Sequence, residues 1–213
     1  MKGNKRKQKK GFTLIELLVV IAIIAILSVV VILTLNPAEL LRQSRDSNRI
    51  SDLSVTKSAI AFYLASVASP SLNGTSSATS PTCYVDASGY VAGGNQDGTN
   101  TCVAWFFTNV SGAPQVASVT LANQTLVNGN GWIPINFNSI SAGGSPLGAL
   151  PHDPVNNDGT HFYSYIASTT GLVFKLDAHM ESAKYSNGGS NDVVSTDGGN
   201  DNYSYEQGTN LQL

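Results

Sequence analysis

The 213 residues carry 12 Lys and Arg against 14 Asp and Glu, a net charge of −2, and 42% of them are hydrophobic. The near balance conceals a division, because Lys2, Lys5, Arg6, Lys7, Lys9 and Lys10 open the chain whereas from Ser58 onward only Lys175 and Lys184 face ten carboxylates, a net −8. An acidic C-terminal body repels polyanions, which argues against nucleic-acid binding there, and two cysteines without C-x-x-C spacing argue against a zinc framework.

The first predicted element follows the basic stretch. Over residues 17–35 only Ser28 and Thr34 interrupt Leu, Val, Ile and Ala. Counted from Phe12 to Leu35 the segment makes a helix about 36 Å long at ~1.5 Å per residue, enough for a hydrocarbon core of ~30 Å. A secretory signal has an apolar core of only about 7 to 15 residues and a small-residue cleavage site beyond it; here the run ends Leu33-Thr34-Leu35-Asn36. Lys and Arg ahead of the span keep the N-terminus cytoplasmic and place the rest outside. Glu16 stands at the mouth of the run. On the translocon scale an acidic residue at a helix centre costs about 2.5 to 3.5 kcal/mol, and less near the interface. The positive end of the helix dipole accounts for a glutamate. It does not account for Gly11-Phe12 four residues earlier, after a lysine-rich leader.

Asn36-Pro37 kinks or breaks the helix, since proline removes a backbone donor. Ile50, Leu53, Ile60, Leu64 and Val67 then recur at helical intervals, with Arg42, Arg45, Asp46, Arg49 and Asp52 on the other faces, which gives an amphipathic half over 36–68 that ends before Ser69-Pro70. Residues 69–82 form a polar loop of low complexity. Short strands are predicted at 102–108, 116–121, 132–137, 162–167 and 172–176, the last two split by a turn at 168–171. One long helix followed by short strands predicts an α+β fold, with an antiparallel β-sheet head laid on the helix. In an exported domain the pair Cys83 and Cys102 reads as a disulfide. Closing a loop of about 20 residues stabilises by roughly 3 kcal/mol in the chain-entropy model.

Lys10-Gly11-Phe12-Thr13-Leu14-Ile15-Glu16 and the apolar run after it resemble the N-terminal segment of type IV pilins and type II secretion pseudopilins. The resemblance implies a leader, 1–11, removed by a membrane-embedded prepilin peptidase that cuts after Gly11 and methylates the new amino terminus of Phe12. It also implies a transmembrane and polymerisation helix over 12–35 and a globular head over 69–213 at the end of the amphipathic half. The subunit would wait in the inner membrane lipid with its head outside, then join a filament with the help of an assembly platform. Glu16 gains a role in such a bundle: one chain's carboxylate can meet the Phe12 ammonium of a neighbour. That pairing offsets the cost of burying either charge and fixes the axial stagger.

The stretch 150–168, "LPHDPVNNDGTHFYSYIAS", resembles loosely the D-P-W-G-N-x-Y loop of the major secretion pseudopilin, through Asp153, Pro154, Asn156 or Asn157, and Tyr163 or Tyr165; without the Trp and Gly it equally reads as a turn. The tail from Ser190 collects Asp192, Asp197 and Asp201 on a Gly-rich stretch. Hard oxygen ligands there suit Ca²⁺, as in an acidic loop of related pseudopilins, and equally suit a solvated acidic tail. Three histidines without ligand spacing provide no Ser-His-Asp, Cys-His or H-E-x-x-H set, so the reading is of a non-enzymatic subunit. The expected partners are the peptidase, other copies of the chain and other pilins or pseudopilins, in a type IV pilus or a secretion pseudopilus. The alternative is a minor pilin acting as a binding module in adhesion or DNA uptake, for which no basic aromatic groove is visible.

Overall fold

The computed structural model describes residues 11–74, 82–86, 115–141, 143–156, 161–168 and 171–213. It falls into two units, Met1–Leu41 and Arg42–Leu213.

The first unit contains α1, Leu14–Leu35. Thr13 caps it, and the helix stops at Asn36, whose backbone turns left-handed at φ 40°. Proline disfavours helical backbone in the residue before it, and asparagine is among the few residues that tolerate the left-handed region. Pro37 then opens α2, Pro37–Ser66, at the first helical position, where its missing N–H costs nothing. The expected break therefore exists as a full interruption at one residue. The side chains of α1 are exposed in the single chain wherever they are described. Its two polar interruptions are satisfied internally, Ser28 Oγ donating to the Ile24 carbonyl at 2.7 Å and Thr34 Oγ1 to that of Val31 at 3.0 Å. Neither hydroxyl is left with an unmet donor.

In the second unit α2 lays Leu53, Thr56, Ala59, Ile60 and Tyr63 into the core. Leu53 and Ile60 are fully buried, and each contributes about 1.5 to 3 kcal/mol by leaving water. The facing sheet comprises β1 (Thr82–Val85), β2 (Gln115–Ser118), β3 (Tyr163–Ala167), β4 (Phe174–His179) and β5 (Ser204–Gly208), in the order β2-β1-β3-β4-β5. Strand alternation turns Tyr163, Tyr165, Phe174, Leu176 and Ala178 to the core shared with α2.

The α+β architecture, a long apolar helix, a second helix and then an antiparallel sheet, agrees with the sequence reading. Four strands, β1, β3, β4 and β5, pair antiparallel, but β2 joins β1 in parallel, Gln115 beside Thr82. A tight hairpin cannot make a parallel pair, and Val85 and Gln115 are far enough apart along the chain to allow the crossover such a pair requires. The strand expected at 132–137 is absent. Trp132, Ile133, Ile135 and Phe137 are buried there, but Pro134 has no N–H for a ladder, and the stretch makes only the bridge of Asn136 with Asn128 and a 3-10 turn, Phe137–Ser139. The strand expected at 102–108 lies outside the described residues.

Candidate functional site

The N-terminal segment is built on its own cap. Glu16 N donates to Thr13 Oγ1 at 3.3 Å, while Thr13 N and Thr13 Oγ1 both donate to Glu16 Oε2 at 2.8 Å. This is a capping box, and it satisfies orphan donors at both ends of the first turn. Both bonds fall on one carboxylate oxygen, so Oε1 faces no donor among the described residues. In the single chain Glu16 thus closes on its own helix start while keeping an oxygen for another partner.

Gly11 differs from the glycines of the head. A Cβ placed on it would meet nothing within 4 Å, and its backbone is outside the left-handed region that favours glycine. Nothing described in this chain demands glycine at position 11. The demand, if there is one, comes from whatever handles the segment. Phe12 beside it is fully accessible, 79% exposed.

In the head, Asp46 and Arg49 are placed by the sequence reading on the outer faces of the helix, and the structure corrects this: both are fully buried. They fall at helical spacing with Leu53, Thr56 and Ile60 and so share the core-facing side. Burial is made tolerable by pairing. The guanidinium meets Asp153, Asp46 at 2.8 Å and Glu181 at 2.6 Å, and Arg45 Nε donates to Glu181 Oε1 at 2.9 Å. Burial alone would weaken the charge of Arg49, but the hydrogen bonds it donates to Asp153, Glu181 and Asp46 hold its pKa above the ordinary value. Burial pushes Glu181 up, and the two arginines outweigh it and hold its carboxyl at about 2.

Asp153 also organises the 150–168 stretch. Its Oδ1 accepts from Val155 N at 2.8 Å, its own N–H donates to Asp86 Oδ2 at 2.8 Å, and Asp86 Oδ1 accepts from Tyr163 N at 2.8 Å. Asp86 is fully buried, and burial drives its carboxyl well above the usual range against the pull of those amides. The loop is therefore riveted to α2 and to the end of β1. The sequence carried the turn in Asp153-Pro154, but not the anchors, because Arg49 and Asp86 are remote along the chain.

Cys83 is buried in β1, and no described cysteine is a free thiol; Cys102 lies outside the described residues. The three tail aspartates do not converge. Asp192 accepts from Gly188 N, Val194 N and both donors of Ser195, which close its own turn. Asp197 accepts from Gly199 N and Glu206 N, and Asp201 from Tyr203 N and Ser204 Oγ. Asp192 shares no hydrogen-bond partner with the other two, Asp197 and Asp201 are both bonded to Glu206, and among the described residues no three His, Cys, Asp or Glu are grouped to hold a metal ion. As these residues stand they do not fit one shared calcium ion.

Residues 6–32 match the model of the prokaryotic N-terminal methylation motif. The motif is that of type IV pilins and pseudopilins, a structural segment and not an enzyme family. It coincides with the one described helix, over Leu14–Ile32, that is long and apolar enough to cross a membrane. No curated protein and no solved structure matches the chain.

Proposed function

We propose that the chain is a prepilin-like subunit, cut after Gly11, methylated at Phe12, held in the cytoplasmic membrane by α1 and polymerised through that helix into a type IV pilus or a type II secretion pseudopilus. The observation that carries the reading is the methylation motif over residues 6–32, seated on a helix whose apolar side chains are exposed in the single chain. A surface of that kind is at rest only in lipid or among copies of itself. Glu16 enters twice: it caps α1 in the single subunit, and its open Oε1 receives the Phe12 ammonium of a neighbour in the filament. A Cys83–Cys102 bridge, made after export, belongs to the same proposal.

The test is mass spectrometry of filaments sheared from cells, with the amino terminus mapped. An abundant chain beginning at N-methylated Phe12 supports a pilus subunit. The same processed chain confined to the membrane supports a pseudopilus or minor role. A chain that retains residues 1–11 in both fractions removes the proposal.

A further inference from the structure

The face of the sheet opposite the aromatic core buries charge. Lys175 and Asp177 of β4 stand two residues apart and share that face, and Asp177 lies opposite Glu206 of β5. All three side chains are fully buried. Lys175 Nζ is 2.6 Å from Glu206 Oε1, 3.8 Å from Asp177 Oδ1 and 3.4 Å from the side-chain carbonyl oxygen of Asn200.

The tail is fixed in this position by its own contacts. Asp201 N donates to Glu206 Oε2 at 3.1 Å, and Glu206 N donates to Asp197 Oδ2 at 2.7 Å. Between them Gly199 passes so near that a Cβ would collide with the Glu206 carboxylate. Asn200 is thereby carried onto the amine. A structural ion pair explains Lys175 with Glu206. It does not explain Asp177, whose two carboxylate oxygens have no hydrogen-bond partner among the described residues, or the amide brought to the same nitrogen.

We propose that Lys175 and Asn200 become joined by an isopeptide bond, with Glu206 as the base and Asp177 as the acid. Glu206 takes a proton from the Lys175 ammonium and frees the Nζ lone pair. Nζ attacks Cγ of Asn200, forming the new C–N bond, while the carbonyl electron pair moves onto Oδ1 and is stabilised by the proton of Asp177. Collapse restores the carbonyl and breaks the Cγ–Nδ2 bond. Ammonia leaves with the second proton of Nζ, delivered through the two carboxyl groups. The net change is ammonium plus primary amide to secondary amide plus ammonium ion, with no change of oxidation state and no outside reagent. Burial holds the Asp177 carboxyl well above the ordinary range, which favours the protonated form that the step draws on. Holding nucleophile and electrophile together replaces an encounter in solution, and effective molarities for well-oriented groups reach about 10⁵ to 10⁸ M. The product ties β4 to the tail that precedes β5, and the chemistry stands whether or not the subunit polymerises.

The test uses the full chain purified from membranes or filaments, denatured and digested with a lysine-specific protease. The expected result is no cleavage after Lys175, and a branched peptide that contains Lys175 and Asn200 and is lighter by one ammonia. Asn200→Ala restores cleavage after Lys175, and Glu206→Gln leaves amine and amide unreacted. A linear digest of the unaltered protein, cut after Lys175 and with Asn200 intact, overturns the proposal without recourse to any variant. A branched peptide lighter by one water, joined at Glu206 or Asp177, overturns the assignment to Asn200.

Discussion

Arg49 and Asp153 form a two-point contact, Nε to Oδ2 at 2.6 Å and Nη2 to Oδ1 at 2.9 Å, with neither side chain exposed to solvent. It joins α2 to a loop 104 residues further along the chain. Breaking a buried pair from one side strands the other charge, at a cost of about 3 to 5 kcal/mol. Arg49→Met is expected to cost at least that much, since Asp46 and Glu181 lose the same partner. Urea unfolding of the Arg42–Leu213 unit measures it, and a loss below about 1 kcal/mol would show that water reaches the cluster.

Glu181 gives the acid side of stability a definite sign. Its carboxyl is held at about 2 in the head, below its ordinary value of 4.5. Its contribution is therefore fully present above pH 4.5 and is lost as pH falls through about 2. Asp197, raised by burial from 3.8 to about 6, works in the opposite sense: its contribution is present below pH 3.8 and lost as pH rises through about 6. Glu181→Gln is expected to lower stability at neutral pH and to flatten the decline between pH 4.5 and 2. Denaturant midpoints measured across that range check it, and parallel curves for variant and parent would exclude Glu181 as a source of the decline.

Gly11→Leu is expected to block processing, because nothing described in the chain needs glycine there and the constraint is placed on the peptidase, which must fit the backbone closely at the cut. The uncut precursor should accumulate in the membrane. Recovery of a chain beginning at Phe12 in normal amount would move the cut elsewhere.

Glu16→Ala is expected to leave insertion and cleavage intact and to reduce filament yield sharply. Losing the capping box costs about 0.5 to 2 kcal/mol at the helix start, which a membrane span absorbs; on the proposed role of Glu16, it is the loss of the neighbour's counter-charge that is expected to stop assembly. Glu16→Gln keeps a hydrogen-bonding cap while removing the charge, so it separates the two effects. Normal filaments from the Gln variant would reduce Glu16 to a cap.

Replacing both Cys83 and Cys102 with Ala is expected to lower the stability of the head by about 2 to 5 kcal/mol. Thermal melting before and after reduction measures it. Two titratable thiols in denatured, unreduced protein taken from outside the cell membrane would show that the bridge does not form.

The segment up to Pro37 was written locally and could be read locally. Helix start, apolar run and break depend on neighbours in the sequence: Thr13 caps three residues ahead, Glu16 reaches back the same distance, and Pro37 constrains Asn36 directly. The motif over residues 6–32 is contiguous for the same reason. The amphipathic stripe of α2 and the strands at 163–167 and 174–179 were legible because apolar residues keep the period of the element.

What the sequence could not assign was settled by partners distant along the chain. Asp46 and Arg49 read as a solvated face because charge is ordinarily left in water; tertiary contacts with Asp153 and Glu181 reverse that. Ser204–Gly208 read as part of an acidic tail because the polarity of Ser204 and Glu206 hides the alternation, yet β4 accepts it as a strand, with Glu206 made tolerable inside by Lys175. Trp132 to Phe137 had a strand's apolar content and no ladder, since Pro134 withholds a donor. Local sequence fixes what a segment prefers, whereas burial of charge and the pairing of strand edges depend on which remote group arrives to satisfy them, and that is decided only when the chain closes on itself.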